Sequence, residues 1–508
     1  MISPSIAEHA IAWTALLAAA VLVALAVRMV WRRRPGGALA AALAVGLLLR
    51  GYAGTRAYLN PWDERYHALV ARNLVQDPLR PTLYRGPVLP YDYRDWQANH
   101  VWLHKPPLAL WLMAGSIALL GNTELGARAP SIVLSLAGIL LTYAIGRRVT
   151  SRESAALAAL LHAINPLLIR LAVGQTSVDH VDALLVVLVQ VGVWLALRWI
   201  DRPALARLSA VAVACGLALM TKWLPGLLAA PVMVVLGSRR PGWLRSAAAA
   251  AAVCGGAWLM AQPWEQFAAR AYPQEHAHER AYNWRHLWEP LEGHQRSSLF
   301  QLVELHRNCG ELVLLPMAWL LYVTLRRWRA QRAALLAWWL LPLLLFSLVA
   351  TQRSNYMAIA IPALCLTAAQ CWTWIRRTAA LRRLRGLRLA LLVLLLAAPI
   401  KDAATFVNPT RVHARRAVWA EELKAQLVDI RGPRAVLFGT DRPIEAMYYG
   451  DVTAYAGIPD GATAAVLVER GYRVYVIDSA ELPPALRTNP GIRVIPRRTE
   501  SQSREDRQ

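Results

Sequence analysis

The chain has 508 residues, 56% of them apolar, with a mean hydropathy of +0.32 and a formal net charge of +24. This composition excludes an ordinary soluble protein and predicts several membrane spans, because about 20 consecutive apolar residues cross a bilayer. The positive charge does not indicate nucleic-acid binding, since the arginines cluster between apolar segments, where the positive-inside rule places them. We therefore expect membrane lipids, and no nucleic acid, as partners.

About twelve apolar segments are predicted to be transmembrane helices. Arginine clusters occupy every second connection, beginning at Arg28, which assigns those connections to the cytoplasm. This alternation places both termini and the long loops 55–125 and 263–310 on the outer side of the membrane. The predicted spans are 10–30, 38–54, 126–146, 154–172, 181–199, 204–220, 223–237, 244–262, 311–325, 333–350, 356–375 and 387–400.

The same pattern divides the chain into four regions. Residues 1–37 form an N-terminal transmembrane helix and a cytoplasmic turn, and residues 38–400 form the membrane domain. In residues 401–496 strand-like and helical segments alternate, which predicts a small outer-face α/β domain with a parallel core. Its first turn lacks the Gly-x-Gly-x-x-Gly pattern, so a nucleotide site is not indicated. Residues 497–508 are predicted to be a disordered tail.

The first long loop carries the most distinctive residues. It opens with Asn60-Pro-Trp-Asp-Glu-Arg-Tyr66 and closes with Trp102-Leu-His-Lys-Pro-Pro-Leu108. Apolar residues at helical spacing from 66 to 74 predict a short helix along the membrane surface, with Asp63 capping its first turn. An interfacial helix with no chemistry fits this segment equally well. The apolar segment 106–120 is too short for a span and is predicted to be re-entrant or interfacial.

Lysine is rare in this chain. Lys105, Lys222, Lys401 and Lys424 are the four lysines among 56 basic residues. Because an ammonium and a guanidinium are not interchangeable, the rarity favours Lys105 as a specific site. At Lys222, beside the end of a predicted span, a side chain that snorkels to the interface without any role is the alternative.

The second long loop contains His276 and His278 among carboxylates. This spacing is compatible with a divalent-cation site and also with an ordinary polar surface. His104 and His276 are weak metal candidates, and no metal is assigned. The five cysteines show neither metal-ligand nor disulfide spacing.

Several of these motifs together resemble a known family. The segments concerned are Asp63-Glu-Arg-Tyr66, His104-Lys-Pro-Pro-Leu108, Gly126-Ala-Arg-Ala-Pro130 and Arg353-Ser-Asn-Tyr356. They are similar to motifs of the bacterial lipid-linked glycosyltransferases of the protein O-mannosyltransferase and aminoarabinose-transferase type, whose membrane domain has the GT-C fold. The resemblance extends over roughly residues 38–400, and the helix at 10–30 is extra to the usual pattern.

The resemblance implies a function and a set of roles. Family members transfer a sugar, with inversion, from a polyprenyl-phosphate carrier to an acceptor on the outer face. The first-loop acid of the family falls on Asp63, which would orient and deprotonate the attacking hydroxyl, and Glu64 ranks second. The phosphate-contacting lysine falls on Lys105 and the hydroxyl donor on Tyr356, while Arg353 is our own addition as a further charge. No cofactor is required, and a divalent cation is compatible with the site.

Tyr66, His104 and Lys222 are further candidates for substrate binding. His104 stands where aminoarabinose transferases carry an acidic residue before the lysine, so neither the sugar nor the acceptor follows from the resemblance. The main alternative function is a transporter or flippase of lipid-linked glycans, for which mid-span charges and inverted repeats would be expected. A scaffold that binds a partner through its outer domain is a second alternative.

Overall fold

The computed structural model describes residues 6–175, 180–238, 242–310, 313–378, 384–407, 413–428, 430, 432 and 434–497. The described part is mostly helical, with one small sheet near its C-terminal end. The predicted tail, residues 497–508, lies almost entirely outside the described residues.

A bundle of long apolar helices forms the membrane domain. Its first half contains α1 (Ile6–Trp31), α2 (Pro35–Gly54), α3 (Asp63–Leu74), α4 (Leu108–Leu120), α5 (Glu124–Val149), α6 (Arg152–Ala163), α7 (Pro166–Ala172), α8 (His180–Asp201) and α9 (Leu205–Lys222). Its second half contains α10 (Ala229–Leu236), α11 (Trp243–Ala271), α12 (Pro273–Arg285), α13 (Phe300–Cys309), α14 (Leu314–Arg326), α15 (Ala330–Leu348), α16 (Ile361–Arg377) and α17 (Arg385–Val407).

Among the described residues, eight helices are long and apolar enough to cross a membrane, or ten if two bent pairs each count as one span. The structure thus confirms the prediction of a polytopic helical membrane protein. It does not confirm the predicted number of about twelve spans. The segment 223–237 falls short because it divides into a 3₁₀ turn and the eight-residue helix α10. The segment 387–400 lies inside α17, which is not one of the eight.

The bent pair α6–α7 has a local cause and a polar partner. The two helices meet at 56°, where the side chain of Asn165 accepts a hydrogen bond from Leu168 N and caps the new helix. The break frees carbonyl groups at the end of α6. Arg50 of α2 donates to one of them, Ala163 O, at 2.8 Å and also to Ser135 Oγ at 2.7 Å. This buried arginine therefore satisfies backbone groups that the membrane cannot.

Small residues let the central helices approach each other closely. A Cβ placed on Gly146 of α5 would lie 2.8 Å from the Cβ of Ala155 and from Cδ2 of Leu366. Glycine alone fits where α5, α6 and α16 meet, as is common between membrane helices. The apolar residues of α3 belong to a second cluster, which they share with α4.

A four-stranded parallel sheet follows the bundle, with strand order β2-β1-β3-β4. Its elements are α18 (His413–Leu427), β1 (Ala435–Phe438), α19 (Pro443–Tyr449), β2 (Thr453–Tyr455), α20 (Gly461–Glu469), β3 (Arg473–Ile477), α21 (Pro484–Arg487) and β4 (Ile492–Ile495). The helix α17 runs to Val407, past residue 400, where the sequence places the domain boundary; that boundary stays a prediction. The three-residue strand β2 was not predicted, since its length gives little alternation to detect.

Candidate active site

Asp63 begins α3, but it does not cap it. Trp62 takes the cap position with φ +71°, and no side chain there bonds the first turn. The predicted cap at Asp63 is therefore wrong, and Asp63 is the first helical residue. Asp63 is 8% exposed, and it lies at a helix N-terminus, where the partial positive charge of the backbone favours an anion.

Glu64 has a different environment from its neighbour. It is fully buried, and Arg128 Nε of α5 donates to Glu64 Oε1 at 2.6 Å. Asn60 Nδ2 donates to the second oxygen at 2.7 Å, and His180 Nε2 lies 3.3 Å from the first. Burial raises the pKa of Glu64, but Arg128 and His180 outweigh it, so the pKa is lowered. Such a carboxylate is occupied in joining α3 to the bundle, which favours a structural role.

A cavity of about 260 Å³ brings together most of the predicted donor residues. Lys105 comes from the end of the first long loop and Lys222 from the end of α9. Arg353 and Tyr356 come from the turn before α16. Segments far apart in the sequence thus place two lysines, an arginine and a phenol around one space. Such a set of donors suits a phosphate group.

The cations of this cavity are partly balanced by carboxylates. Lys222 Nζ pairs with Asp182 Oδ1 at 2.6 Å, and Arg353 pairs with Glu292. Asp182 also accepts a hydrogen bond from Asn355, so the polar wall is connected.

The charge of Lys105 depends on these surroundings. Burial, together with the charges of Lys222 and Arg353, lowers the pKa of Lys105 to about 8. The carboxylates of Asp63 and Glu279 act in the opposite direction. The candidate base and the candidate phosphate ligand are therefore electrostatic neighbours.

Much of the rest of the lining is apolar and belongs to the helical bundle, and Asn283, His286 and Thr351 add further polar groups. The apolar residues include Leu185 of α8, Leu345, Phe346 and Val349 at the end of α15, and Ile359. A space with cationic donors at one side and aliphatic walls at the other suits a molecule that joins a phosphate to a hydrocarbon chain.

Glu279 is the site residue that sequence reasoning missed. His104 Nδ1 lies 3.2 Å from Glu279 Oε2, and the His104 ring stacks on Trp96 with ring centres 4.7 Å apart. Burial raises the pKa of Glu279 to about 7, while burial lowers that of His104. Glu275 and Glu279 lie four residues apart on α12, so they share a helix face. That spacing is the sequence signal from which Glu279 could have been predicted as a site residue.

The two weak metal candidates have different partners. His276 Nε2 lies 3.1 Å from Glu265 Oε2, whereas His104 pairs with Glu279. Within the described ranges, no group of three or more His, Cys, Asp or Glu side chains has the geometry to hold a metal ion. The structure therefore does not bring these two histidines onto a common metal position.

The predicted substrate-binding residues divide between the cavity and its surroundings. His104 and Lys222 line the cavity. Tyr66 is buried against Trp96, with ring centres 5.0 Å apart, and is not among the lining residues. Its position favours a role in packing the first long loop.

The fold and the cavity define a polytopic membrane protein of the GT-C type. Residues 104–264 match the family model for dolichyl-phosphate-mannose-protein mannosyltransferases. An undecaprenyl phosphate-alpha-4-amino-4-deoxy-L-arabinose arabinosyl transferase of Pseudomonas fluorescens is 32% identical over 317 residues, 58% of this chain and 53% of the relative. The corresponding Pseudomonas aeruginosa protein is 31% identical over 283 residues, covering 52% and 49%.

Solved structures show the same architecture. ArnT from Cupriavidus metallidurans bound to undecaprenyl phosphate superposes with a TM-score of 0.61 at 17% identity, covering 89% of this chain and 88% of that one. An oligosaccharyltransferase of Archaeoglobus fulgidus gives 0.54 at 13% identity, covering 82% and 62%. These matches show that the chain is similar in sequence to aminoarabinose transferases and protein mannosyltransferases and that it has the GT-C fold, so the resemblance drawn from the motifs is confirmed. The chain spans about half the length of the curated relatives it matches.

Proposed function

We propose that this protein is a glycosyltransferase that moves a sugar from a polyprenyl-phosphate carrier to an acceptor on the outer face of a bacterial inner membrane. The observation that carries the proposal is the single cavity in which Lys105, Lys222, Arg353 and Tyr356 meet beside an aliphatic wall. A sugar carried on a polyprenyl phosphate has both parts that this cavity suits.

The proposed chemistry uses the cationic donors of this cavity together with Asp63, which does not line the cavity but interacts electrostatically with Lys105. The leaving group is a phosphate, already stable as an anion, so positive charge and hydrogen-bond donors are enough to stabilise its departure. An attacking hydroxyl needs a carboxylate to orient it and accept its proton, and Asp63 fills that role. The hydroxyl attacks the anomeric carbon on the face opposite the phosphate, the bond to the phosphate breaks, and the configuration inverts.

The sugar and the acceptor are narrower questions than the reaction class. The relatives' names specify undecaprenyl phosphate-4-amino-4-deoxy-arabinose, so an amino sugar on an undecaprenyl carrier is the first donor to test. Where the resemblance implies an acidic residue, this chain has His104, and Glu279 brings a carboxylate to within 3.2 Å of it. A positively charged sugar substituent is therefore compatible with this chain.

The experiment that tests the proposal is sugar release from synthetic polyprenyl-phosphate sugars by the purified protein in detergent. We expect turnover with at least one donor and acceptor pair, and a large loss in Lys105→Ala, because the charge-assisted contact to the departing phosphate is lost. Lys105→Arg keeps the charge but changes its geometry, so partial activity is expected.

Lys401→Ala serves as the matched control, because Lys401 lies in α17 and does not line the cavity. A transporter would release no sugar in this assay, whichever residue stood at position 105, since detergent abolishes any gradient. Absence of turnover by the unmodified protein across amino and neutral sugar donors would contradict the proposal and favour transport.

A further inference from the structure

The helix that carries Asp63 is held from its opposite face. Arg65 and Arg72 are seven residues apart, close to two turns, so they share one face of α3. Asp63 lies about 200° around the helix from Arg65. Both faces belong to the same helix. Contacts that fix the face with Arg65 and Arg72 therefore also fix the position of the Asp63 carboxylate.

The arginine face contacts α19 of the C-terminal domain. Arg65 Nη1 lies 3.2 Å from Glu445 Oε1, and Glu445 is fully buried. Arg442 of the same domain approaches Glu445 at 3.8 Å. Further along α3, Arg72 donates to Gly450 O at 2.9 Å. A buried ion pair depends strongly on geometry, so it holds α3 in one orientation.

A second set of contacts holds the chain that leads into α3. The Tyr449 hydroxyl accepts a hydrogen bond from Leu59 N at 2.9 Å and donates to Glu124 Oε1 at 2.9 Å. Lys424 Nζ donates to the same Glu124 oxygen at 2.7 Å and to Ala57 O at 3.0 Å. The C-terminal domain thus joins the segment before α3 to the first residue of α5.

These contacts are separate from three of the four donors of the cavity. Lys222, Arg353 and Tyr356 belong to α9 and to the turn before α16, whereas the C-terminal contacts reach the 57–72 segment and the start of α5. We propose that Glu445 and Tyr449 are positioning residues, and that the C-terminal domain holds Asp63 in register with a donor bound by the membrane domain. The effect on turnover rests on the proposed function.

The test compares conservative variants of the full-length protein. Glu445→Gln removes the charge that Arg65 faces, and Tyr449→Phe removes the one oxygen that joins Leu59 to Glu124. A 1 Å displacement of a catalytic group costs about 100-fold in rate, so we expect kcat to fall about 10- to 100-fold. The donor KM should stay within about twofold, because Lys222, Arg353 and Tyr356 lie outside these contacts and continue to bind the phosphate.

Glu469→Gln and Tyr472→Phe are the matched controls, since Glu469 ends α20 and Tyr472 packs against an apolar cluster of the same domain to which, among the described residues, none of α3 belongs. Controls that retain kcat while both test variants lose it would support the proposal. Unchanged kcat in the test variants would overturn it, and so would a loss that appears only as a raised donor KM.

Amide hydrogen exchange gives a readout that needs no activity. We expect residues 57–74 to exchange about tenfold faster in Glu445→Gln and Tyr449→Phe than in the controls, with residues 353–366 unchanged. If the protein releases no sugar at all, that result contradicts the proposed function but not the positioning role. Unchanged exchange over residues 57–74 would overturn the positioning role, whatever the activity.

Discussion

Asp63 and Glu64 are adjacent carboxylates with opposite surroundings. Glu64 accepts hydrogen bonds from Asn60 and Arg128 and is fully buried, whereas Asp63 starts the helix beside Lys105. A general base needs an ionised oxygen that can reach the substrate. The geometry therefore separates the two residues into one candidate for chemistry and one for anchoring.

The first prediction follows from that separation. Asp63→Asn keeps the size and some hydrogen bonding but cannot accept the proton, so transfer should fall by about two to four orders of magnitude. Binding of a polyprenyl phosphate without sugar should be retained, because its phosphate ligands lie elsewhere. Transfer rates measured with purified protein check this, and a rate near that of the unmodified protein would rule out Asp63 as the base.

A second prediction concerns the charge of Lys105. Because its pKa is lowered to about 8, the ammonium is present below that pH and is lost as the pH rises through it. Apparent donor affinity should therefore be constant below about pH 7 and weaken above about pH 8. In Lys105→Arg this alkaline decline should disappear, since a guanidinium remains charged over the whole range. Donor KM measured against pH distinguishes the unmodified protein from Lys105→Arg. Identical pH profiles of the two proteins would contradict the assignment of the alkaline decline to Lys105.

A third prediction concerns the effect of Glu279 on the same pH profile of donor KM. Its carboxylate is one of the charges that raise the pKa of Lys105, so Glu279→Gln should move the alkaline decline to lower pH. Glu275→Gln is the matched control, because Glu275 lies one turn away on α12 and bonds Tyr91 at 2.5 Å. An alkaline limb that does not shift in Glu279→Gln, or shifts equally in both variants, would argue against this coupling.

At the scale of elements, the pair Glu64–Arg128 joins α3 to α5. Removing one partner of a buried ion pair leaves an uncompensated charge, which costs about 3–5 kcal/mol. Glu64→Gln should therefore lower the thermal unfolding temperature in detergent, whereas Glu153→Gln, on a partly exposed pair with Arg377, should change it little. An unfolding temperature unchanged by Glu64→Gln, together with lost turnover, would indicate a catalytic role for Glu64 instead.

Local patterns predicted local elements well and distant contacts poorly. Apolar spacing from 66 to 74 anticipated α3, and the shortness of 106–120 anticipated α4, because both signals lie within one helix. The pair His104–Glu279 joins residues 175 positions apart, and no periodicity reports such a contact. The scarcity of lysine pointed to Lys105, but only folding shows that Lys222 shares its cavity.

At the scale of the whole molecule, charge is divided between the two ends of the bundle. Arg148 at the end of α5 pairs with Asp201 at the end of α8, so these helix ends meet. The opposite ends of the same helices begin beside the first long loop and the cavity, which contains Asp182 near the start of α8. The arginine-rich end and the cavity end are therefore different faces of the membrane domain.

The last prediction turns this division into topology. The positive-inside rule assigns the arginine-rich end to the cytoplasm, so the cavity and the C-terminal domain that contacts α3 should both face outward. A reporter inserted after Gly36, beside the first arginine cluster, should report the cytoplasm. Reporters inserted after Arg80 or fused to the C-terminus should report the outer side, because Arg65 and Glu445 can pair only if their segments share a face. A cytoplasmic signal from the C-terminal fusion would contradict the orientation and, with it, a donor site open to the periplasm.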